Sequence, residues 1–322
     1  MQLQAVSKHS YEERKYFFKK QVGRYLWAII RAVIIFGICF IILQPLLTKI
    51  SVSFMSESDL YDASVVYISR DFTLANYQNV FAAMEYGTVF FRTLGLALLT
   101  SILQLISCTI VGYGFARFKF PFKNTLFMIV IFCLLIPPQT LMLPLFFHFR
   151  FFDFFGLFGW ITGKDGINLL DTLWPFILTS VTAQGFKNGL YIFLMRQYFS
   201  GMPNELEEAA YMDGCGVFKT FYKIMLPSAV PMMVTILLFG FVWQWTDNFY
   251  SNLYLSDFKV MATSLGTLAS KSFATDLSFV SPALVSMVNN TGTILVVIPL
   301  FILYFLAQRY FVESIERSGI VG

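Results

Sequence analysis

The sequence predicts an all-α polytopic membrane protein with six transmembrane helices and both termini in the cytoplasm. Three observations carry that expectation. Apolar residues make up 57% of the 322 residues and charged residues only 13%, whereas a soluble domain carries about 25% charged residues. Phe and Tyr number 38 and 16, more aromatic surface than a water-facing exterior can hide, and the mean hydropathy is +0.66. The apolar runs are continuous and about 20 residues long, the length a helix needs to cross a hydrocarbon core. They do not alternate with period two, so helices rather than a closed barrel are expected.

The elements follow in chain order. Residues 1–27 form a polar tail, too long a lead for a cleaved signal peptide, so the first apolar run reads as an uncleaved anchor. Spans are expected at 28–47, 88–115, 126–147, 173–195, 230–250 and 280–306, each long enough at about 1.5 Å per residue. Between them lie a polar segment 48–87, a short segment 148–172 and a Ser-, Thr- and Asp-bearing segment 251–279. The first of these is expected to cap the outer face or brace a partner.

Charge sets the orientation. Lys8, Arg14, Lys15, Lys19, Lys20, Arg24, Arg117, Lys119, Lys123, Arg196, Lys219, Lys223, Arg309 and Arg317 fall on one set of loops. Lys49, Arg70, Arg150, Lys164, Lys259 and Lys271 fall on the other. The richer set faces the cytoplasm.

Several chemistries are absent. The four Cys have no metal-ligand or disulfide spacing, and His9 and His148 alone supply no catalytic triad and no metal centre. No phosphate-binding loop of the Gly-x4-Gly-Lys type occurs. The chain therefore carries no ATPase site, no catalytic residues and no cofactor of its own, and nothing in it points to nucleic acid.

The most informative stretch is the charged island at 205–227. Pro203 suits a first helical turn, and Glu205, Glu207 and Glu208 favour the positive end of a helix dipole. Asp213-Gly214 is expected to end the helix in a left-handed turn. A second short helix then carries Phe218, Phe221 and Ile224 on one stripe, Leu226-Pro227 stops it, and Pro231 starts the next span. A helix lying on lipid headgroups is the competing reading. The acidic end argues against it, because anionic leaflets repel three Glu and an Asp.

The spacing of Glu208-Ala209-Ala210, Gly214 and Ile224-x-Leu226-Pro227 resembles the cytoplasmic coupling loop of ABC importer permeases. Tyr113-Gly-Phe-Ala-Arg117-Phe, Ile136-Pro137, Arg196-Gln197 with Phe199, and Trp243-Gln-Trp-Thr-Asp247 extend the likeness to the carbohydrate-uptake branch, over about residues 70–312. It is similar to the second permease of the maltose importer. The resemblance implies a type I importer permease fold, with a cytoplasmic tail at 1–27, a permease domain at 28–308 containing the coupling loop 197–228, and a second tail at 309–322. It implies a second homologous permease, two cytoplasmic ATPase subunits holding ATP and Mg, an external solute-binding protein and a bacterial inner-membrane location. Cys215 departs from the small residue usual at its position.

A path for a sugar needs polar and aromatic groups at membrane depth. Trp243, Gln244, Trp245, Asp247 and Asn248 in the fifth span and Asn289 and Asn290 in the sixth are candidates, and hydrogen bonding between packed helices is the alternative. Lys187 falls near mid-depth of the fourth span among Gln184, Gly185, Asn188 and Gly189. It is expected to attract an acidic sugar, to pair with a carboxylate such as Asp247, or to sit where a kink admits water. Ser256, Asp257, Thr263 and Ser264 are candidate contacts for the binding protein, against a merely solvated loop. A secondary transporter of a small polar solute is the alternative class, but it is expected to show more spans and inverted repeats.

Overall fold

The structure is a computed structural model that describes residues 2–154, 156, 159–160, 163, 166–185, 187–273 and 280–319. Among these the chain is helical, with backbone pairing outside helices limited to isolated bridges at Met55–Phe72 and Phe152–Ile167. The chain divides into two compact units, one of residues 1–76 with 282–291, the other of 77–281 with 292–322.

In the first unit, helix α1 (Gln2–Ser53) runs without a break through both the polar tail and the first apolar run, so the tail is helical rather than extended. None of its apolar stretch is buried by the chain itself, and Phe36, Ile41 and Ile42 are 75%, 71% and 68% exposed. Such a helix is stable only with lipid or a partner around it. A knot of turns follows, with the short α2 (Glu57–Tyr61) at its centre. Asp59 organises it, accepting from Ser69 Oγ at 2.7 Å, Arg70 N at 2.8 Å and Asp71 N at 2.9 Å. The Asn76 amide closes the knot on the carbonyls of Ser53 and Met55 at 3.1 and 2.9 Å.

Helix α3 (Ala75–Ala83) starts in the first unit and ends in the second, which is built on α4 (Tyr86–Arg117). After it come α5 (Lys123–Leu135), a 3-10 turn Pro138–Leu141 and α6 (Met142–Arg150). Then come α7 (Trp174–Val181), α8 (Asn188–Gly201), α9 (Glu205–Met212), α10 (Val217–Ser228) and α11 (Val230–Trp245). The short α12 (Phe249–Tyr254), α13 (Met261–Gly266) and α14 (Leu268–Phe273) precede α15 (Pro282–Gly319), which begins in the first unit and ends in the second.

Helices α8 and α11 flank α4 around a core of Cys108, Tyr191, Ile192, Met195, Phe199 and Ile236. Gly112 makes the α4–α8 approach possible, because a Cβ there would lie 2.5 Å from Met195 Cβ. On α11, Gly240 plays the same part, since a Cβ would sit 3.2 Å from Ser101 Cβ.

Among the described residues three helices are long and apolar enough to cross a membrane, and five spans result if two bent pairs each count as one. The third expected span is bent by 98° where Ile136-Pro137-Pro138 cannot continue a helix, and the stretch leading into the fifth bends by 73° between α10 and α11. The fourth expected span is two short helices, α7 and α8, parted at 182–187. Ala183 and Lys187 are left-handed there, at φ +57° and +65°, and each breaks the helical ladder.

Candidate functional site

Helix α9 starts at Glu205, so Pro203 lies in the approach and Asn204 caps, its carbonyl accepting Glu207 N at 3.0 Å and Glu208 N at 3.1 Å. The three Glu occupy the first turn, as their charge favours. The helix ends in the expected turn. Gly214 has φ +77°, its N–H reaches Tyr211 O at 3.0 Å, and Cys215 N reaches Ala210 O at 2.9 Å. Those two bonds close a Schellman cap, which glycine enters without a Cβ penalty.

Helix α10 departs from the expected simple stripe. It contains a π turn over Phe221–Met225 and continues through Leu226 and Pro227 to Ser228. Pro227 has no N–H and its ring crowds the carbonyl four residues back, a conflict that the wider turn relieves. Phe221 packs inward, 4.6 Å from the Tyr113 ring centroid, while Phe218 points out at 89% exposed. Ile224 and Leu226 are half-buried and Pro227 is exposed.

Glu207 is the anchor of this helix pair, a role the sequence reading did not assign. It is buried, accepts the Tyr113 hydroxyl at 2.7 Å, and has the Arg117 Nε 3.5 Å from its other oxygen. Arg117 also donates to Met202 O at 2.7 Å and to the Asn204 side chain. Ala210 is buried one turn on, whereas Glu205, Glu208, Ala209 and Asp213 face outward. Beside them an apolar surface stands free: Met212 at 89%, Phe218 at 89% and Tyr222 at 66% exposed. Polar and acidic groups around exposed large apolar side chains are the composition that protein-docking faces have.

A second constellation lies at the break between α7 and α8. Lys187, Trp243, Thr246, Asp247, Asn248 and Phe249 line a cavity of about 380 Å³. The Lys187 ammonium stands 5.2 Å from the Trp243 ring centroid, and Tyr191 and Phe239 stack against that ring at 6.0 and 6.1 Å. Asp247 is buried and caps α12, accepting from Ser251 N at 2.8 Å, Ser251 Oγ at 2.9 Å and Tyr250 N at 3.2 Å.

The helix period divides the fifth-span candidates. Trp243, Asp247 and Asn248 line the cavity, but Gln244 and Trp245 turn into the packing. Trp245 is 1% exposed and donates to Val296 O at 3.1 Å, so it holds helices together instead of lining a path. Among the described residues the Gln244 Nε2 has no hydrogen-bond partner. Neither do the amide atoms of Asn188 or the Tyr191 hydroxyl, both side chains at most 1% exposed. Each such group costs about 1–3 kcal/mol of desolvation. Asn289 and Asn290 belong to the first unit, where Lys49 donates to Asn290 Oδ1 at 2.9 Å.

Ser256 and Asp257 are exposed, whereas Thr263 and Ser264 are 5% and 1% exposed and offer no outward face. Thr263 Oγ1 instead accepts Val260 N at 3.1 Å, fastening the start of α13.

Residues 108–317 match a family described as "Binding-protein-dependent transport system inner membrane component". The chain is 28% identical over 295 residues to an arabinooligosaccharides transport system permease protein of Halalkalibacterium halodurans, covering 88% of this chain and 93% of that one. It is 30% identical over 253 residues to a probable ABC transporter permease protein of Pyrococcus horikoshii, covering 78% and 80%. Its fold is shared with a chain of a bacterial ABC transporter that imports the acidic polysaccharide alginate, at a TM-score of 0.70, 21% identity and coverage of 89% and 96%.

Proposed function

The chain belongs to the family of binding-protein-dependent transport system inner membrane components, and on that premise we propose that it is the permease subunit of an ATP-driven importer of a sugar or oligosaccharide. The observation that carries the substrate class is the likeness to an arabinooligosaccharide permease over nearly the full length of both chains. Six spans follow if α7 and α8 together make the fourth, with both termini in the cytoplasm as the charge distribution favours.

The α9–α10 pair is the coupling element. Its exposed Met212, Phe218 and Tyr222, beside Glu205, Glu208 and Asp213, dock on an ATPase subunit that holds the ATP and Mg. Glu207 fixes the pair to the end of α4, so a push on the docked face moves the transmembrane bundle. The cavity at Lys187 and Trp243 lies on the sugar's path, shared with a second, homologous permease. An external solute-binding protein delivers the sugar to the segment 251–279.

Co-purification tests the coupling role. Phe218→Asp is expected to leave the permease in the membrane and strip the ATPase from it, because a buried aromatic anchor is worth about 2 kcal/mol or more at an interface. Full recovery of the ATPase with Phe218→Asp, and likewise with Glu208→Lys, would remove this face from the interface.

A further inference from the structure

Asp171 is a loop residue to which no function attaches from the reading above. It has φ +62°, a left-handed backbone that non-glycine residues take at a cost, Asp and Asn least. Its surroundings hold it there. Its N–H donates to Tyr254 O at 2.6 Å. Its Oδ1 accepts three successive backbone N–H groups, from Ser256 at 2.9 Å, Asp257 at 2.9 Å and Phe258 at 3.4 Å. One side chain thus gathers the whole turn 256–258 around a single oxygen. The Asp257 N–H leads, and with those of Ser256 and Phe258 and the charge of Lys259 it holds the Asp171 carboxyl below the usual carboxylate range. The carboxylate is therefore ionised at neutral pH, and charged acceptors make the stronger hydrogen bonds.

The turn is braced from below as well. Leu255 and Val260, on its two sides, are 4% and 2% exposed and sit in a cluster with Leu96, Phe149, Phe176 and Tyr254. Leu169, two residues before Asp171, donates its N–H to Phe149 O at 2.9 Å. Met261 N donates to Thr93 Oγ1 at 2.8 Å. Between those apolar feet Ser256 and Asp257 alone are lifted fully into the open. A loop held at both ends and through its middle loses little conformational freedom when a partner engages it, which is how a preformed surface gains affinity.

We propose that Asp171 is a positioning residue for substrate delivery, holding the turn 255–259 in the shape that presents Ser256 and Asp257 to the external solute-binding protein. The inference rests on the reading of 251–279 as the delivery face. Asp171 itself touches neither sugar nor partner; it acts through the three N–H groups it accepts. Loss of the carboxylate leaves those donors to water and frees the turn.

The test uses the whole importer in proteoliposomes, with its own binding protein added outside and sugar uptake measured against the concentration of that protein. For Asp171→Ala the half-saturating concentration is expected to rise about tenfold, the scale of losing charge-assisted hydrogen bonds, while maximal uptake stays as in the parent. Asp171→Asn keeps an oxygen that accepts the same N–H groups and is expected to recover most of the loss. Amide exchange at Ser256, Asp257 and Phe258 is expected to quicken in the Ala variant alone. Unchanged exchange in Asp171→Ala overturns the positioning role. Faster exchange with an unchanged half-saturating concentration overturns its link to delivery. Ser256→Trp and Asp257→Trp separate the two layers: if neither moves the half-saturating concentration, the delivery face itself lies elsewhere and the proposal falls with it.

Discussion

Tyr113, near the end of α4, donates its hydroxyl to Glu207 of α9 across 2.7 Å, and both side chains are buried. The bond joins residues 94 positions apart and ties the charged helix pair to the longest helix of the second unit. Arg117, one turn further along α4, brings its Nε to 3.5 Å from the same carboxylate. A carboxylate with a buried hydroxyl donor at one oxygen and a guanidinium near the other is a rigid joint, as the proposed coupling role requires.

Breaking that joint is expected to separate ATP hydrolysis from transport. Tyr113→Phe removes the donor and leaves the ring, so Tyr113 still packs against Phe199 and Phe221 at 5.3 and 4.6 Å. A lost bond to a buried charged acceptor costs about 1.5–3 kcal/mol. Uptake in reconstituted vesicles is expected to drop about tenfold, with the ATPase still bound and still hydrolysing. The Glu207→Gln change alone and with Tyr113→Phe is expected to be non-additive, since each acts on the same bond. Additive losses would mean that the two residues work independently.

The legibility of this region in the sequence was uneven, for physical reasons. Gly214 announces its turn because a left-handed cap strongly selects glycine, and the Glu cluster marks a helix start because its charge favours the positive end of the dipole. Three neighbouring Glu look alike in one sequence, however, and nothing local marks Glu207 as the buried one beside the exposed Glu205 and Glu208. The signal that separates them is the matching spacing of Tyr113 and Arg117, one turn apart, with Glu207 and Ala210, three apart. The π turn in α10 had only Pro227 to betray it. At the cavity, Lys187 and Trp243 were legible as odd polar and aromatic residues in apolar runs, but 3.6-residue periodicity alone turns Gln244 and Trp245 away from it. Asp171 left no trace, because a loop carboxylate that accepts backbone N–H groups has no sequence pattern.

The knot at Asp59 is expected to open in acid. The Ser69 hydroxyl, followed by the N–H groups of Asp71 and Arg70 and the Arg70 charge, holds the Asp59 carboxyl below the usual carboxylate range. A carboxyl lowered on folding binds its proton more weakly in the folded form, so its contribution is whole above the ordinary carboxylate range and fades as pH falls through the folded value. Exchange of the Arg70 and Asp71 amides, taken relative to the intrinsic base-catalysed rate at each pH, is expected to quicken on acidification below that range in the parent protein. In Asp59→Asn it is expected to be faster from the outset and to lose this dependence. A parent profile as flat as that of Asn would assign the knot's stability to Asn76 and the Phe54–Phe72 stack, whose centroids are 4.7 Å apart.

The cavity at the α7–α8 break carries a prediction about charge. Among its lining residues Lys187 is the cation, set 5.2 Å from the Trp243 centroid, and Asp247 is the carboxylate. Asp247 already accepts Ser251 N, Ser251 Oγ and Tyr250 N, so much of its negative charge is answered by fixed donors. Lys187 is exposed at the start of α8, where a helix end adds further positive potential. On the proposed path an acidic sugar would meet the Lys187 cation beside the Trp243 ring. Lys187→Met keeps the length of the side chain and removes its charge. Uptake of an acidic oligosaccharide is expected to fall about tenfold, equivalent to about 1.4 kcal/mol. A neutral one is expected to lose about two- to fivefold, through the cation–π contact that steadies Trp243 and is worth about 0.5–1 kcal/mol at an exposed site. Lys187→Arg is expected to restore the preference for the acidic sugar. Equal losses for both sugars would reduce Lys187 to a packing residue and leave selection to Trp243 and the other lining side chains.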